Sequence, residues 1–454
     1  MADGTEVDVV VVGLGVGGEE VAGRLAEAGL SVVGIEHRLV GGECPYWACV
    51  PSKMMIRAAN LLAEGRRVDG MAGTATVEPD WTPVAKRIRE EATDDWDDRV
   101  AVERFTGKGG RFVRGFGRLA GPGRVEVDDQ VFIARRGIVV AVGTAPAVPP
   151  IEGLAGTPYW TNREAIEATE VPDSLVVLGG GAIGVELGQV FARFGGRVTV
   201  VEALDRLLAF EEPESSQLVR DEFAREGIDV RTGARVERVA HDGRAFTVTL
   251  ADGSTVDSAG LLVATGRRVN LPDLGVETIG LDPKAKALTV DERLRVADGV
   301  WAVGDITGRG AFTHIAMYQA DIVVRDILGQ GGPNADYRAL PRVTFTDPEI
   351  GAVGLTEAQA RERGINVRVA HTDLTESTRG WIHKAGNAGF IKLVADADQG
   401  VLVGATSAGP VGGEVLSALV VAVHGQVPVE TLASMIYAYP TFHRAIESAV
   451  KQLR

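Results

Sequence analysis

Two cysteines, Cys44 and Cys49, are all that 454 residues contain. So sparse a pair is no disulfide scaffold, and in a reducing compartment it would be kept reduced or would cycle. Basic residues are also in the minority. The 47 Lys and Arg against 62 Asp and Glu leave a formal charge of -15 with no basic stripe, which argues against nucleic acid or an anionic membrane surface as partner. No apolar run approaches the roughly 20 residues of a membrane span, and Val7 to Val12 is too short for a signal-peptide core. These absences predict a cytoplasmic protein that meets no membrane. Low-complexity tracts are missing too: the 58 glycines fall in short motifs between apolar runs, within a chain that is 45% hydrophobic and 24% charged. Such a composition belongs to a globular chain, and its length suits about three domains.

What is present begins with a glycine fingerprint. The apolar run Val7 to Val12 leads into Gly13-Leu14-Gly15-Val16-Gly17-Gly18, then a helical stretch to Ala28, Gly29, and a second apolar run from Ser31 to Ile35. That run stops at Glu36, eighteen residues after Gly18. Strand, glycines, helix, strand and terminal acid in this order specify a dinucleotide site. Gly13 allows the tight turn, Gly15 the approach of a pyrophosphate, and Gly18 the packing of helix on strand. Glu36 would accept hydrogen bonds from the adenosine ribose.

The pattern then repeats. Leu175 to Leu178 leads into Gly179-Gly180-Gly181-Ala182-Ile183-Gly184, a helix through Phe194, and the strand Val198 to Val201, which ends at Glu202, again eighteen residues on. Two copies imply two dinucleotides. Glu202 would repel a 2'-phosphate and bind free ribose hydroxyls, so NAD(H) is favoured over NADP(H), although Arg206 is a cation close by.

Between the fingerprints lies Gly41-Gly42-Glu43-Cys44-Pro45-Tyr46-Trp47-Ala48-Cys49-Val50-Pro51-Ser52-Lys53. Five residues of unbroken helix would separate the cysteine Cα atoms by about 7 to 9 Å, more than the roughly 4.4 to 6.8 Å a disulfide tolerates. One cysteine is therefore expected outside regular helix, with Pro45 in a first helical turn and Cys49 in the helix that follows. Read alone, the two are better explained as buried thiols serving as small apolar side chains. Residues 54 to 138 carry amphipathic helix and short strands. A helix start is expected at Asp80 to Thr82, and the charges from Arg87 to Glu103 suit a solvated face.

The CxxxxC string followed by Pro-Ser-Lys, set between two fingerprints, resembles the flavoprotein disulfide reductases, the family of dihydrolipoamide dehydrogenase, glutathione reductase and mercuric reductase. The resemblance runs over nearly the whole chain. It implies an α/β fold with two Rossmann-like dinucleotide-binding domains, the second inserted in the first, and a C-terminal α+β dimerisation domain. The expected boundaries are 1–149 with 267–338 for FAD, 150–266 for NAD, and 339–454 for the interface of a homodimer. By the same resemblance Cys44 and Cys49 are the redox pair, Cys49 against the flavin and Cys44 exchanging with the acceptor, and Lys53 pairs with Glu186 near the flavin. Gly42, Thr144 in the string Val142-Gly143-Thr144-Ala145-Pro146, and Asp305 in Val303-Gly304-Asp305 fall to the FAD site. Gly266 closes the NAD domain. No metal site is expected among these residues.

The C-terminus departs from the family. Where most members carry His-Pro-Thr with a glutamate five positions on, this chain reads Tyr439-Pro440-Thr441-Phe442-His443-Arg444. An imidazole titrates near neutrality and shuttles thiol protons, whereas a phenol, with an ordinary pKa near 10, is mostly a donor. Tyr439 at this position suits a packing or acceptor-binding residue as well as a proton donor, and His443 with Glu447, one helical turn apart, is read as a plain surface pair before a displaced dyad. The expected enzyme passes electrons from NADH through flavin to Cys44-Cys49 and on to a small-molecule acceptor: a disulfide, quinone or metal ion. Two other readings stay open: a transhydrogenase or diaphorase with idle cysteines, and a non-enzymatic flavoprotein that binds partners.

Overall fold

The computed structural model describes residues 4–454 and separates into two compact units, one of residues 4–51, 86–147 and 267–336, the other of 52–85, 148–266 and 337–454.

In the first unit, strands Val300–Ala302, Gln130–Val140, Thr5–Val12, Val32–Glu36 and Arg111–Arg114 lie side by side in parallel, with antiparallel Arg295–Ala297 at one edge. Parallel strands covered on both faces need continuous apolar runs, and Val9, Val10 and Val11 are fully buried accordingly. Val9 stands opposite Val32 on one side and Gly137 on the other, so Thr5–Val12 is central. The helix Val16–Glu27 covers the sheet with Val21, Ala22 and Leu25 and ends at Gly29, whose φ of +86° reverses the chain. The glycine turn at Gly13 thus opens at the carboxyl end of the central strand, where doubly wound sheets leave a crevice.

The second unit contains a four-stranded parallel sheet in the order Asp229–Arg231, Arg197–Val201, Ser174–Leu178, Gly260–Val263. A three-stranded antiparallel meander follows at Val236–His241, Phe246–Leu250 and Thr255–Ser258. Its last part is a five-stranded antiparallel sheet in the order Pro341–Thr344, Glu349–Gly354, Val401–Gly409, Phe390–Asp396, Val367–Asp373. The helices Gly412–His424 and Ala445–Lys451 bury Leu416, Leu419 and Ala449 in one core with Ile391 and Leu393 of that sheet. The expected α/β fold is the one observed. Among the described residues no helix is long and apolar enough to cross a membrane.

A helix does begin at Thr82, whose amide donates to Asp80 Oδ1 at 2.9 Å, and it runs on as a wider π-turn at Ile88–Ala92. The cysteines differ in detail from the expectation. Both lie in helix, Cys44 in the single turn Glu43–Tyr46 and Cys49 at the head of Cys49–Arg66, and the break at Trp47-Ala48 between them supplies the change of direction that an unbroken helix could not.

A buried ionic cluster holds the second unit together. Asp347 accepts hydrogen bonds from Arg193 and Arg67, each at 2.8 Å, while its backbone exchanges bonds with the Gln189 amide. Arg193 also reaches Glu226 and Asn60, with its side chain only 2% exposed. Removing one member leaves a buried charge without its partner. Asp347→Ala is therefore expected to destabilise the protein by about 3 to 5 kcal/mol, read as a lower urea midpoint, whereas an exposed pair such as Lys86 and Glu90 should give less than about 1 kcal/mol on the same treatment.

Candidate functional site

The first glycine turn is shaped by close backbone contacts. A Cβ on Gly13, at φ +92°, would stand 2.5 Å from the Ala141 carbonyl oxygen, and one on Gly18 would stand 2.0 Å from that of Gly13. The middle glycine is different: a Cβ on Gly15 would meet nothing nearer than Gly42 Cα at 4.0 Å. Gly15 is also the cap of Val16–Glu27 and brings no side chain to the first-turn amides, so they remain available to an anionic ligand. Glu36 closes the turn, its Oε2 accepting from the Leu14 amide at 2.9 Å and its Oε1 from the Arg38 amide at 2.8 Å. Burial works against its charge, but hydrogen bonds from His37, Arg38 and Leu14 outweigh burial and hold the carboxyl below the usual glutamate value.

The second turn repeats this construction. A Cβ on Gly179 would stand 2.4 Å from the Ala264 oxygen and one on Gly184 2.0 Å from that of Gly179, while Gly181 has nothing within 4 Å and caps Ala182–Arg193 without a side chain. Glu202 accepts from the Gly180 amide at 2.6 Å and from that of Leu204 at 2.7 Å. Gly266, at φ +117°, also faces open space. Both cradles fit a dinucleotide: an uncapped helix start, an open middle glycine and a fixed acid for a ribose.

The cysteine segment packs on the first cradle. Gly41 pairs with Gly15 in a short parallel bridge and its amide donates to the Leu14 oxygen at 2.7 Å. Gly42, at φ +71°, is held so close that a Cβ would stand 2.8 Å from Gly15 Cα. Cys44 and Cys49 are half-buried and no disulfide joins them. The Cys44 thiol donates toward Cys49, and this hydrogen bond, then burial, pushes it well above the ordinary thiol range against the opposing pull of Thr313. Cys49 Sγ lies 3.4 Å from the Thr313 hydroxyl. Tyr46, buried beside Trp47, has its phenol pushed up to about 12 by burial and by Asp98.

In the same unit Thr144 donates to Asp305 Oδ2 at 2.7 Å and accepts from Arg267 Nε at 2.6 Å, while Arg267 also donates to the Thr144 oxygen at 2.8 Å. In the other unit Lys53 donates to Glu186 Oε2 at 2.8 Å, the Phe345 amide donates to Oε1 at 2.8 Å, and the Lys53 ammonium lies 4.6 Å from the centre of the Phe345 ring. Arg267 and Phe345 were not among the expected site residues, and the contact of Thr313 with Cys49 was not expected. Each reaches its partner across more than a hundred positions, and only the repeated apolar-run and glycine signals pointed toward those folds.

Tyr439, 65% exposed, offers its hydroxyl to Thr378 Oγ1 at 3.4 Å, and the Arg444 guanidinium lies 5.3 Å from the centre of its ring. His443 and Glu447 are not brought together. Glu447 is taken by Arg444 at 3.1 Å and Lys451 at 2.7 Å, and the buried His443 Nε2 atom has no hydrogen-bond partner among the described residues.

Residues 7–320 match the family model of the pyridine nucleotide-disulphide oxidoreductases, and residues 340–450 match the dimerisation domain of the same family. The chain belongs to that family. Similar proteins include a mercuric reductase of Streptomyces lividans, 32% identical with 98% of this chain and 96% of that one covered, and a dihydrolipoyl dehydrogenase of Thermus scotoductus, 32% identical with 98% and 97% covered. Among solved structures, the Cu(II) complex of the HOCl-induced flavoprotein disulfide reductase RclA from Escherichia coli superposes with a TM-score of 0.87 at 26% identity, covering 99% of this chain and 100% of that one. This pyridine nucleotide-disulphide oxidoreductase is accordingly an enzyme of a family that uses FAD and NAD(P)H, and its dimerisation domain indicates a homodimer.

Because the hydrogen bond to Cys49 is the largest cause that keeps the Cys44 proton in place, Cys49→Ala should speed alkylation of Cys44 in the reduced protein by about tenfold or more at pH 8. Iodoacetamide labelling followed by mass spectrometry checks this, and an unchanged rate would assign the protection to burial alone.

Proposed function

We propose that this chain is an NADH-dependent flavoprotein reductase whose working group is the Cys44-Cys49 pair and whose acceptor is a quinone, a metal ion or a small disulfide. The observation that carries this reading is the docking of the cysteine segment on the first cradle through Gly41 and Gly42, with Cys44 hydrogen-bonded toward Cys49. Residues 1–149 with 267–338 would form the FAD domain, 150–266 the NAD domain and 339–454 the interface domain. Gly13, Gly15, Gly18, Glu36, Gly42, Thr144 and Asp305 would hold FAD, and Gly179, Gly181, Gly184, Glu202 and Gly266 would hold NADH. When bound, FAD supplies the two-electron relay between a nicotinamide and a dithiol.

The chain's own groups have distinct tasks in this reading. Cys44, the exchanging thiol, keeps its proton until a partner sulfur or metal draws it out, which suits an acceptor that brings its own driving force. Lys53, oriented by Glu186 and Phe345, holds a positive charge at a fixed place, and such fixed charge stabilises developing anions without reorganisation. Tyr439 offers a phenol where a histidine base would be needed to work on a bulky dithiol, so proton shuttling of the lipoamide kind is disfavoured. The names of the mercuric reductase and of the Cu(II)-bound RclA lend weight to a metal ion as acceptor.

Anaerobic titration of the purified protein with NADH, or with dithionite if NADH is slow, tests the reading. Uptake of four electrons per subunit, with a long-wavelength absorbance band at the two-electron stage, is expected. Bleaching complete at two electrons with no such band would make the cysteines idle and turn the enzyme into a transhydrogenase or diaphorase, a result Cys44→Ser would reproduce by leaving turnover intact. Tyr439→His is expected to create or raise lipoamide-type reductase activity, and no change would count against the role given to Tyr439.

A further inference from the structure

Four residues beyond Glu202 stands Arg206, a cation placed where a 2'-phosphate receptor could be sought. Its guanidinium is already committed. Nη1 donates to the Glu211 oxygen at 2.8 Å and to Ser216 Oγ at 3.3 Å, and Nη2 donates to the Ala209 oxygen at 2.7 Å. Ser216 in turn donates to the Leu207 oxygen, so the turn from Leu207 to Glu211 is tied from inside by one side chain and one hydroxyl.

That turn is part of the second cradle's wall. The Leu208 amide donates to the Gly180 oxygen at 2.9 Å, while the Gly180 amide is the donor to Glu202, so a single residue links the turn to the ribose acid. The Leu207 side chain packs so closely on Gly180 that a Cβ there would stand 2.5 Å from it. The far end of the turn is anchored as well. Arg342 holds the Glu211 carboxylate at 2.9 Å through two nitrogens, and buried Lys392 holds Glu212 at 3.0 Å and Glu214 at 2.7 Å. Freeing Arg206 toward a ribose would break its three bonds inside a turn that is fixed at both ends.

We propose that Arg206 is a positioning residue for nucleotide selection: it staples the turn 207–211 against Gly180, keeps Glu202 set for free ribose hydroxyls, and is not a receptor for a 2'-phosphate. This rests on the reading that the second cradle takes the nicotinamide nucleotide. Its consequence is specific. Removing the repulsive charge of Glu202 does not convert the enzyme to NADPH, because the nearby cation cannot turn to meet the phosphate.

Steady-state kcat and KM for NADH and NADPH, with any acceptor that turns over, test this in Glu202→Gln, Arg206→Leu, the double variant and Ser216→Ala. For Glu202→Gln, kcat/KM with NADH should fall about tenfold, the size of one charge-assisted hydrogen bond, while that with NADPH rises less than about threefold, and adding Arg206→Leu should lower the use of both nucleotides by the same factor. Arg206→Leu alone should raise KM for NADH about tenfold with kcat nearly kept, as expected when uniform binding is lost, and Arg206→Lys, which can still reach one carbonyl, should recover part of it. Ser216→Ala, a milder change that serves if Arg206→Leu fails to fold, should raise the same KM by about threefold. A tenfold gain in NADPH use by Glu202→Gln, with Arg206→Leu then lowering NADPH use far more than NADH use, would overturn the proposal, as would unchanged NADH kinetics in Arg206→Leu and Ser216→Ala together. A two-electron endpoint in the anaerobic titration would overturn the dithiol reading alone and leave these nucleotide ratios standing.

Discussion

The contact on which the rest depends is the meeting of two glycine backbones, Gly15 and Gly42. At that point the nucleotide turn and the cysteine segment touch with no side chain between them, and a Cβ on Gly42 would stand 2.8 Å from Gly15 Cα. The constraint works in both directions. It leaves the middle of the glycine turn open to a ligand, and it sets the start of Glu43–Tyr46, hence Cys44, at a fixed distance along the chain from that opening. Because Gly41 and Gly42 both adopt positive φ, any other residue would add backbone strain to the steric clash. The redox segment is thus tied to the cradle by backbone geometry, the least adjustable part of a protein.

A second constraint is used twice. In each half of the nucleotide machinery the acid at the end of the second strand accepts from a backbone amide 22 residues earlier, inside the glycine turn: Glu36 from Leu14, Glu202 from Gly180. One oxygen of each acid holds the turn and the other meets the chain just beyond it, at Arg38 and Leu204. Each carboxylate is therefore held by backbone donors on both oxygens, with little left to reorganise. The same amides that stabilise the charge also define the shape of the site, so fold and recognition are one arrangement here.

This explains which parts were legible in the sequence. Strand, glycine turn, helix, strand and acid are local, within about forty residues, and each residue type has a physical reason at its place, so both cradles and the α/β fold could be read directly. The pairing of Lys53 with Glu186 was reached only through family resemblance, because 133 residues separate them. The contacts of Thr313 with Cys49, of Arg267 with Thr144 and of the Phe345 amide with Glu186 were not legible, since nothing in a lone threonine, arginine or phenylalanine marks a partner 264, 123 or 159 positions away. The cysteine spacing correctly ruled out an unbroken helix. It did not show that both residues would be helical with the break between them, because a break at Trp47-Ala48 leaves no periodicity to detect.

The altered C-terminus makes physical sense as a set. With Arg444 in place of a glutamate, a histidine at position 439 would have a cation beside it, and its charged form would be disfavoured. A tyrosine ring instead presents its electron-rich face to that cation, and Arg444 does lie 5.3 Å from the Tyr439 ring centre. Arg444 in turn takes Glu447, the acid that could have served His443, and Lys451 takes the rest of it. His443 is left half-buried against Tyr437, its Nε2 without a hydrogen-bond partner among the described residues. The residues that would make a histidine base work are each occupied elsewhere, so restoring the imidazole at 439 alone restores the ring without its acid partner. A lipoamide-type activity gained by that single change should therefore stay below that gained when Arg444→Glu accompanies it, since the carboxylate both removes the repelling cation and orients the new imidazole.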